Sequence, residues 1–253
     1  MNGAVRSAVV TGGSRGIGRA IALELAAQGC DVAISYVSRP DAAAAVVSDI
    51  ERHGRRALAV AADVAAPEAA AQLCQTVIER FGQLDILVNN AGVSSNSTLI
   101  ADTPEDAWRH MLDVNLNGIY HLVRAVVPHM RARGSGHIVN LSSNVTQRMP
   151  ATFGPYTISK AAVEALTRIL AKEEGPHGIH VNAVAPGPIM TDMLAGLLEQ
   201  MGPERATAFV QSVPLGRTGE AAEIARVVAM LVSDVASYLT GQVIYVNGGG
   251  PGG

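Results

Sequence analysis

The chain has 253 residues, of which 48% are hydrophobic and 16% charged, and its formal net charge is −3. The charge is weak and no lysine or arginine block is present, so we expect no nucleic-acid partner. No apolar run approaches the ~18 residues that span a membrane, and the amino terminus lacks a signal-peptide pattern; we therefore expect a cytoplasmic protein with no membrane association.

Short apolar segments alternate with longer alanine-rich stretches of helical periodicity along the whole chain. The segments predicted to be strands are Val5–Val10, Asp31–Tyr36, Ala57–Ala62, Asp85–Val88, His137–Leu141, His180–Val184 and Val243–Val246. Nearly continuous apolar strands indicate burial on both faces, which is typical of a parallel sheet covered by helices. We therefore predict one α/β domain over residues 1–253, a Rossmann-type, doubly wound, seven-stranded parallel sheet with helices on both faces. Only residues 187–216 interrupt the alternation, as an excursion before the last helix.

A glycine-rich turn follows the first predicted strand, where residues 11–18 read Thr-Gly-Gly-Ser-Arg-Gly-Ile-Gly. Gly12 permits a tight turn, Gly16 lets the backbone approach a pyrophosphate, and Gly18 allows the helix to pack closely on the strand. Backbone amides at the helix start then face the phosphates. Its place between a strand and a helix favours a dinucleotide site over a ligand-free turn.

The end of the second strand bears on the choice of cofactor. NAD enzymes of this fold usually carry an acidic residue there, which binds the ribose 2′-hydroxyl. Here no carboxylate occurs before Asp41. A 2′-phosphate suits arginine or hydroxyl groups, and Arg15, Ser38 and Arg39 supply them. NADP(H) is therefore favoured over NAD(H). The alternative for each arginine is that it is a solvated surface charge with no contact to the cofactor.

Tyr156 and Lys160 are four residues apart on a predicted helix, so both side chains lie on one face, and Ser143 precedes Tyr156 by thirteen residues. A free tyrosine has a pKa near 10. A lysine ammonium ~4 Å away, at an effective dielectric of ~20, favours the phenolate by roughly 4 kcal/mol, enough to lower the pKa by up to about three. The pair therefore predicts an acid–base tyrosine, whereas a partly buried tyrosine beside a surface lysine is the alternative for the pair alone.

These motifs occur in an order and spacing that resembles the short-chain dehydrogenase/reductase family over essentially the whole chain. The glycines follow Gly-x-x-x-Gly-x-Gly, Asn89-Asn90-Ala91-Gly92 follows the fourth strand, and Asp63-Val64 follows the third. Asn115 lies in a Val-Asn-Leu-Asn-Gly run, and Pro186-Gly187 follows the sixth strand. The resemblance implies an oxidoreductase that transfers a hydride between nicotinamide and a ketone or secondary alcohol.

The resemblance also implies a role for individual residues. Tyr156 is the acid–base group and Ser143, rather than the competing Ser142, donates a hydrogen bond to the substrate oxygen. Lys160 lowers the pKa of Tyr156 and holds the nicotinamide ribose. Asn115 holds a water that links Lys160 to solvent, with a helix-kink role as its alternative. The residues implied to bind the cofactor are Gly12, Ser14, Arg15, Gly16, Ile17, Gly18, Ser38, Arg39, Asp63, Val64, Asn89, Ala91, Gly92, Tyr156, Lys160, Pro186, Gly187, Ile189 and Thr191. We expect Asn90 to tie strands together instead.

The substrate pocket is expected to take its walls from residues 93–98, 144–153 and 187–216. The last segment is rich in methionine and leucine, which make an adaptable apolar surface, so it is either a movable lid or ordinary amphipathic packing. The resemblance is closest to 3-oxoacyl-(acyl-carrier-protein) reductases and nearby ketoreductases, which makes a 3-oxoacyl thioester the favoured substrate. A sugar, polyol or hydroxysteroid dehydrogenase is the alternative, and a non-catalytic nucleotide-sensing or scaffold protein a remote one.

Recognition of a carrier protein requires a basic platform beside the mouth of the site. Arg131, Arg133, Lys172 and His177 are the side chains expected to form it, although the neighbouring residues 173–174 are both glutamates and dilute the charge.

We expect no metal site, because the seven histidines show no zinc-ligand spacing and the two cysteines lie far apart. The helices around residues 108–130 and 160–171 carry small and apolar faces. Family members commonly pair these helices across one two-fold axis and pair the last strand and helix across another, so the resemblance implies a homotetramer, with a dimer as the alternative.

Overall fold

Seven strands form a parallel sheet in the computed structural model, which describes residues 5–94 and 98–250. The strands are β1 (Ser7–Val10), β2 (Asp31–Tyr36), β3 (Ala57–Ala61), β4 (Ile86–Asn89), β5 (Gly136–Leu141), β6 (Ile179–Pro186) and β7 (Val243–Val246). Their order is β3-β2-β1-β4-β5-β6-β7, and every neighbouring pair is parallel. The seven-stranded parallel sheet predicted from the sequence is thus confirmed, with strand ends that differ by at most two residues.

Helices connect the strands and cover both faces of the sheet. They are α1 (Gly16–Ala27), α2 (Pro40–Arg52), α3 (Pro67–Phe81), α4 (Glu105–Leu112), α5 (Gly118–Arg133), α6 (Val145–Arg148), α7 (Gly154–Glu174), α8 (Asp192–Met201), α9 (Pro203–Gln211) and α10 (Ala221–Leu231). Short 3-10 turns occur at Ile100–Asp102, Gly175–His177 and Asp234–Ala236. Proline at the start of α2, α3 and α9 suits a position whose N–H has no helical partner. Glycines in the left-handed conformation end α3 and α5.

The apolar side chains form two cores, one on each face of the sheet. On the first face, Val10 packs with α1, α2 and α10; on the second, Val9 packs with α3, α5 and α7. Successive strand residues point to opposite faces, so a strand with helices on both sides needs apolar residues at every position. This explains the continuous apolar strands in the sequence, each buried aliphatic side chain contributing roughly 1.5–3 kcal/mol.

The strand order reverses direction at β1, which pairs with β2 on one side and with β4 on the other. The chain therefore winds outward both ways from this point and leaves a crevice beyond the carboxyl ends of the strands. Two irregular features adjoin the crevice. A π-helical segment, Asp113–Asn117, joins α4 to α5, and α8 and α9 occupy most of the excursion at 187–216.

Candidate active site

A cavity of about 940 Å³ lies beyond the carboxyl ends of β1–β6, bounded on its far side by α8 and α9. Small-molecule sites commonly enclose 300–1,000 Å³, so this cavity lies near the upper end of that range. The predicted site residues that line it are Gly12, Ser14, Arg15, Gly16, Ile17, Gly18, Ser38, Asp63, Val64, Ala91, Gly92, Ser143, Tyr156, Lys160, Pro186, Gly187, Ile189 and Thr191. Three predicted residues, Arg39, Asn89 and Asn115, do not line it.

Asn89 and Asn90 differ in where their side chains point. The Asn89 amide donates to the Asn140 side chain on β5 at 2.8 Å and is 2% exposed, so it holds the sheet together beneath the cavity. The prediction that Asn89 lines the ribose site is therefore not supported by its position. Asn90, which does line the cavity, donates to the carbonyl oxygens of Thr11 and Gly12 and ties the end of β4 to the glycine-rich turn.

The glycine-rich turn has the geometry that a pyrophosphate requires. Gly16 adopts φ +54°, which strains any residue with a Cβ, and a Cβ at Gly18 would lie 2.4 Å from the carbonyl oxygen of Gly12. No side chain caps the start of α1 and its first turn has no acidic residue, so its free amides can face an anion. The residues present thus fit the phosphates of a dinucleotide.

One carboxylate lies between the two arginines at the expected 2′-phosphate end. Asp192, the first residue of α8, is 3.4 Å from Arg15 Nη1 and 3.5 Å from Arg39 Nη1. Arg39 precedes α2 with φ +66°, a left-handed conformation that is uncommon for a residue other than glycine. Ser38 lines the cavity beside them. The arginines therefore form an anion-binding pair whose present partner is a carboxylate from the excursion.

Tyr156 stands in the first turn of α7 with its side chain at the cavity. Burial raises the pKa of its phenol above the ordinary value of 10.0, and a hydrogen bond with Ser143 acts in the opposite direction. Burial raises a phenol pKa because the phenolate loses its hydration. At neutral pH the phenol is therefore protonated and suited to donate a proton.

Lys160 lies one turn further along α7 and is 4% exposed. Its Nζ donates to the carbonyl oxygen of Leu141, at the end of β5, at 2.7 Å and lies 5.8 Å from the centre of the Tyr156 ring. Burial lowers its pKa from 10.5 to about 8, because the interior disfavours the ammonium form.

The net effect expected of Lys160 does not appear in this geometry, because burial raises the pKa of Tyr156 instead of leaving it lowered. Burial shifts the two pKa values apart, so Lys160 loses its proton at a lower pH than Tyr156 does. A sequence-based estimate that omits the burial of both groups therefore has the wrong sign.

Asn115 lies in the π-helical segment, an irregularity often found at functional sites. Its side-chain oxygen accepts from the N–H of Val93 at 2.8 Å, and its amide lies 3.0 Å from the Val93 oxygen and 3.1 Å from Ser159 Oγ. Ser159 in turn donates to the carbonyl of Tyr156 at 2.7 Å. These bonds occupy the side-chain donors and link the loop after β4 to the first turn of α7. The water relay through Asn115 stays a prediction.

The two neighbouring serines have different surroundings. Both line the cavity, but the Ser142 hydroxyl donates to the Glu164 carboxylate at 2.9 Å, whereas Ser143 forms a hydrogen bond with Tyr156. This arrangement favours Ser143 as the group that meets a substrate oxygen.

The far end of the cavity is mostly apolar. Helices α8 and α9 supply its apolar lining, which includes Met193, Leu194, Leu197, Met201 and Phe209. Residues 95–97 of the predicted wall lie outside the described part of the chain. Two polar wall residues were not singled out from the sequence. Arg148 places its guanidinium 5.9 Å from the centre of the Phe209 ring, and the buried amide nitrogen of Asn144 has no partner among the described residues.

The basic residues expected to receive a carrier protein lie at the wrong edge of the sheet. Arg131 and Arg133 end α5, just before β5 begins, and Lys172 and His177 precede β6. In a parallel sheet these positions are at the amino edge, opposite the cavity. Arg131 also pairs with Glu174 at 2.6 Å and Arg133 with Asp85 at 3.0 Å. The expected basic platform is therefore not beside this site.

Within residues 5–94 and 98–250, no three His, Cys, Asp or Glu side chains are grouped as metal ligands would be. Over the same residues, no helix is both long enough and apolar enough to cross a membrane.

A family model described as enoyl-(acyl carrier protein) reductase matches residues 12–250. A 3-oxoacyl-(acyl-carrier-protein) reductase of Staphylococcus epidermidis is 41% identical over 244 residues, which cover 96% of this chain and 98% of the relative.

Solved structures resemble the chain over nearly its whole length. Levodione reductase superposes with a TM-score of 0.92 at 35% identity, covering 96% of both chains. A 7α-hydroxysteroid dehydrogenase, complexed with NADH and 7-oxo glycochenodeoxycholic acid, superposes with a TM-score of 0.92 at 33% identity, covering 98% of this chain and 95% of the other.

The lowered pKa of Lys160 predicts how stability changes with pH. Between about pH 8 and pH 10.5 the unfolded chain binds more protons at this lysine than the folded protein does, so stability rises with pH. From pH 7 to pH 10 the gain from this residue is roughly 2–3 kcal/mol. Urea unfolding at fixed protein concentration should lose that increment in Lys160→Met but retain it in Lys172→Met, an exposed lysine of the same helix. Equal pH slopes in the wild type and Lys160→Met would contradict the prediction.

Proposed function

This chain belongs to the short-chain dehydrogenase/reductase family, and we propose that it reduces the ketone of a 3-oxoacyl thioester with NADPH, using Tyr156 as the proton donor. The enzyme is an oxidoreductase that uses a nicotinamide cofactor and acts on a ketone or secondary alcohol. One observation carries the proposal. Tyr156, Ser143 and Lys160 converge at the cavity between the phosphate-binding turn and the apolar helices α8 and α9.

A nicotinamide cofactor would, when bound, supply the hydride for the substrate carbonyl carbon. Tyr156 donates its proton to the carbonyl oxygen, and its raised pKa keeps that proton available at neutral pH. Ser143 holds the same oxygen by a hydrogen bond that strengthens as negative charge develops there. Lys160 holds the nicotinamide ribose, while its bond to Leu141 keeps the ammonium beside the tyrosine.

Three features support NADPH rather than NADH. The end of β2 has no carboxylate, Ser38 lines the cavity there, and Arg15 and Arg39 already share an anionic partner. A 2′-phosphate carries more charge than a carboxylate and accepts several charge-assisted hydrogen bonds, so it would replace Asp192 between the arginines. Asp192 then acts as a competitor that weakens the preference for NADPH.

The substrate class rests on the apolar far end of the cavity and on the named activity of the Staphylococcus epidermidis relative. Methionine and leucine on α8 and α9 give an adaptable surface that suits an acyl chain, and residues 187–216 then serve as a lid over it. A hydroxysteroid is the second candidate substrate, because the same apolar wall would accept a flat ring system and a steroid dehydrogenase shares the fold. Among the described residues that line the cavity, Arg15 and Lys160 are assigned to the cofactor, which leaves Arg148 as the remaining arginine or lysine for a carrier protein.

We further propose a homotetramer, with the dimer as the alternative. The monomer exposes Tyr120 on α5 together with Ile158 and Ile169 on α7, each at least 40% exposed. At the other end of the chain, Val235 and Tyr238 are 84% and 100% exposed. Their burial between copies would remove apolar surface from water. Location in the cytoplasm stays a prediction from the sequence.

Light scattering after size-exclusion chromatography should give four times the mass of one chain. Ile169→Asp, which would place a charge in the proposed α7 contact, should reduce this mass, whereas Glu51→Gln at an exposed position of α2 should not. A wild-type mass of one chain would contradict the assembly proposal.

Substitution of Tyr156 by phenylalanine tests the chemistry. The variant keeps the ring but loses the proton donor, so kcat should fall by about 10²- to 10⁴-fold while the Kd for NADPH changes less than threefold. NADPH oxidation should be followed with short 3-oxoacyl thioesters, diketones, sugars and oxo-steroids, with the exposed Tyr120→Phe as the matched control. An unchanged rate in Tyr156→Phe would rule out the acid–base role, and a steroid preferred over all thioesters would favour the second candidate.

Substitutions at the arginine pair test the cofactor preference. Arg15→Ala and Arg39→Ala should each raise the KM for NADPH by about tenfold with little effect on NADH. Asp192→Asn should lower the KM for NADPH by about two- to fivefold, a small gain because all three side chains are more than half exposed. The inhibition constant of 2′,5′-ADP should change in the same directions, rising in the two arginine variants and falling in Asp192→Asn. A wild type that prefers NADH by more than tenfold would contradict the proposal.

A further inference from the structure

Glu164 is a buried carboxylate beside the active site for which the proposed chemistry has no use. It lies on α7, one turn beyond Lys160, and its side chain is 8% exposed. Three hydroxyl groups surround its Oε1: Thr146 Oγ1 at 2.7 Å, Ser142 Oγ at 2.9 Å and the Tyr245 hydroxyl at 3.1 Å.

These partners connect Glu164 to both sides of Ser143. Ser142 precedes Ser143 directly, and Thr146 follows it by three residues in α6. The Thr146 hydroxyl also lies 2.9 Å from the carbonyl oxygen of Ser143. The segment that carries Ser143 is thus held through one residue before it and one after it by a single side chain of α7.

Lys160 fixes the same segment from the same helix. Its Nζ donates to the carbonyl oxygen of Leu141, two residues before Ser143. Tyr156 also belongs to α7. The helix that carries the proton donor therefore binds the serine segment at two consecutive turns, through Lys160 and Glu164. The Ser143–Tyr156 geometry therefore depends on how firmly α7 holds residues 141–146.

The surroundings of Glu164 are poorly suited to net stabilisation. Burying a carboxylate carries a large desolvation cost unless it is well paired. Its cationic neighbour, Arg168, is 3.6 Å away and more than half exposed. The remaining partners are neutral hydroxyls. An apolar residue in its place would avoid the desolvation but would remove the carboxylate acceptor from the buried Ser142 and Thr146 hydroxyls and from the half-buried Tyr245.

We propose that Glu164 is a positioning residue, which acts through Ser142 and Thr146 to hold Ser143 at hydrogen-bonding distance from Tyr156. This inference rests on the proposed reductase function, since it assigns Glu164 a part in the same reaction. Tyr245 joins the network from β7 and packs it against the carboxyl-terminal strand.

Glu164→Gln provides the first test, because the amide keeps the volume but replaces the charged acceptor of the three hydroxyls with a neutral, weaker one. It also places a donor group where Oε2 lies 3.3 Å from the Tyr245 hydroxyl. Its kcat for ketone reduction should fall about tenfold, whereas the KM for NADPH should change less than twofold. Glu174→Gln is the matched control. Glu174 is also a buried carboxylate of α7, 2% exposed, but it pairs with Arg131 at the opposite edge of the sheet. It should lower Tm and leave kcat within twofold of the wild type.

A double-mutant cycle with Ser143→Ala separates positioning from general structural support. If Glu164 acts through Ser143, Glu164→Gln should cost less than twofold in kcat once Ser143 is absent. The full tenfold loss in the Ser143→Ala background, or a lowered Tm with kcat within twofold, would overturn the inference.

Two single substitutions keep the inference testable if Glu164→Gln does not fold. Ser142→Ala and Thr146→Val each remove one link and should each lower kcat about threefold, again with little additional effect in Ser143→Ala. Wild-type kcat in both would overturn the inference. The proposed function is judged separately by the wild-type activity and by Tyr156→Phe. A wild type that reduces no ketone overturns both proposals, whereas an additive cycle in an active enzyme overturns only the role of Glu164.

Discussion

The bond between the Lys160 ammonium and the carbonyl oxygen of Leu141 holds the active site together. It joins α7 to the end of β5 at 2.7 Å inside the protein, where an unpaired charge would be costly. Because β5 runs directly into the Ser143 segment and Tyr156 precedes Lys160 by one turn, this bond sets the distance between the two side chains. The polar groups around it, from Ser159 to Glu164, all extend the same contact between helix and strand.

The topology explains why residues from so many parts of the chain meet at one edge. In a parallel sheet every strand ends at the same edge, and each turn there leads into a helix. The reversal of strand order at β1 opens the crevice between the turns after β1 and β4. Phosphate-binding amides at the start of α1 and the proton donor on α7 therefore face a common cavity, although 140 residues separate Gly16 from Tyr156 in the sequence.

Much of this architecture could be predicted from local sequence patterns. Apolar runs located all seven strands, and the turn glycines, Tyr156, Ser143 and Lys160 were placed at the edge where the cavity lies. The predictions that the structure does not support concern the direction in which a side chain points and its contacts with residues distant in the sequence. A one-residue step moves a side chain across the sheet, which is why Asn89 holds the sheet while Asn90 reaches the cavity. No local sequence pattern marked Asp192 or Glu164, because their partners lie far away in the chain. These partners are the two arginines for Asp192 and the hydroxyls of residues 142 and 146 for Glu164.

The shift in pKa was the least predictable feature, and it changes what Lys160 contributes. Before reaction, burial keeps the Tyr156 phenol protonated, while Lys160, with a pKa of about 8, is mostly charged at pH 7. As the phenol gives up its proton to a substrate, negative charge develops near an ammonium 5.8 Å from the ring centre. At an effective dielectric of ~20, the attraction between charges several ångströms apart is on the order of a few kcal/mol. It is absent while the phenol is neutral, so Lys160 favours the transition state over the ground state, which is the condition for raising kcat.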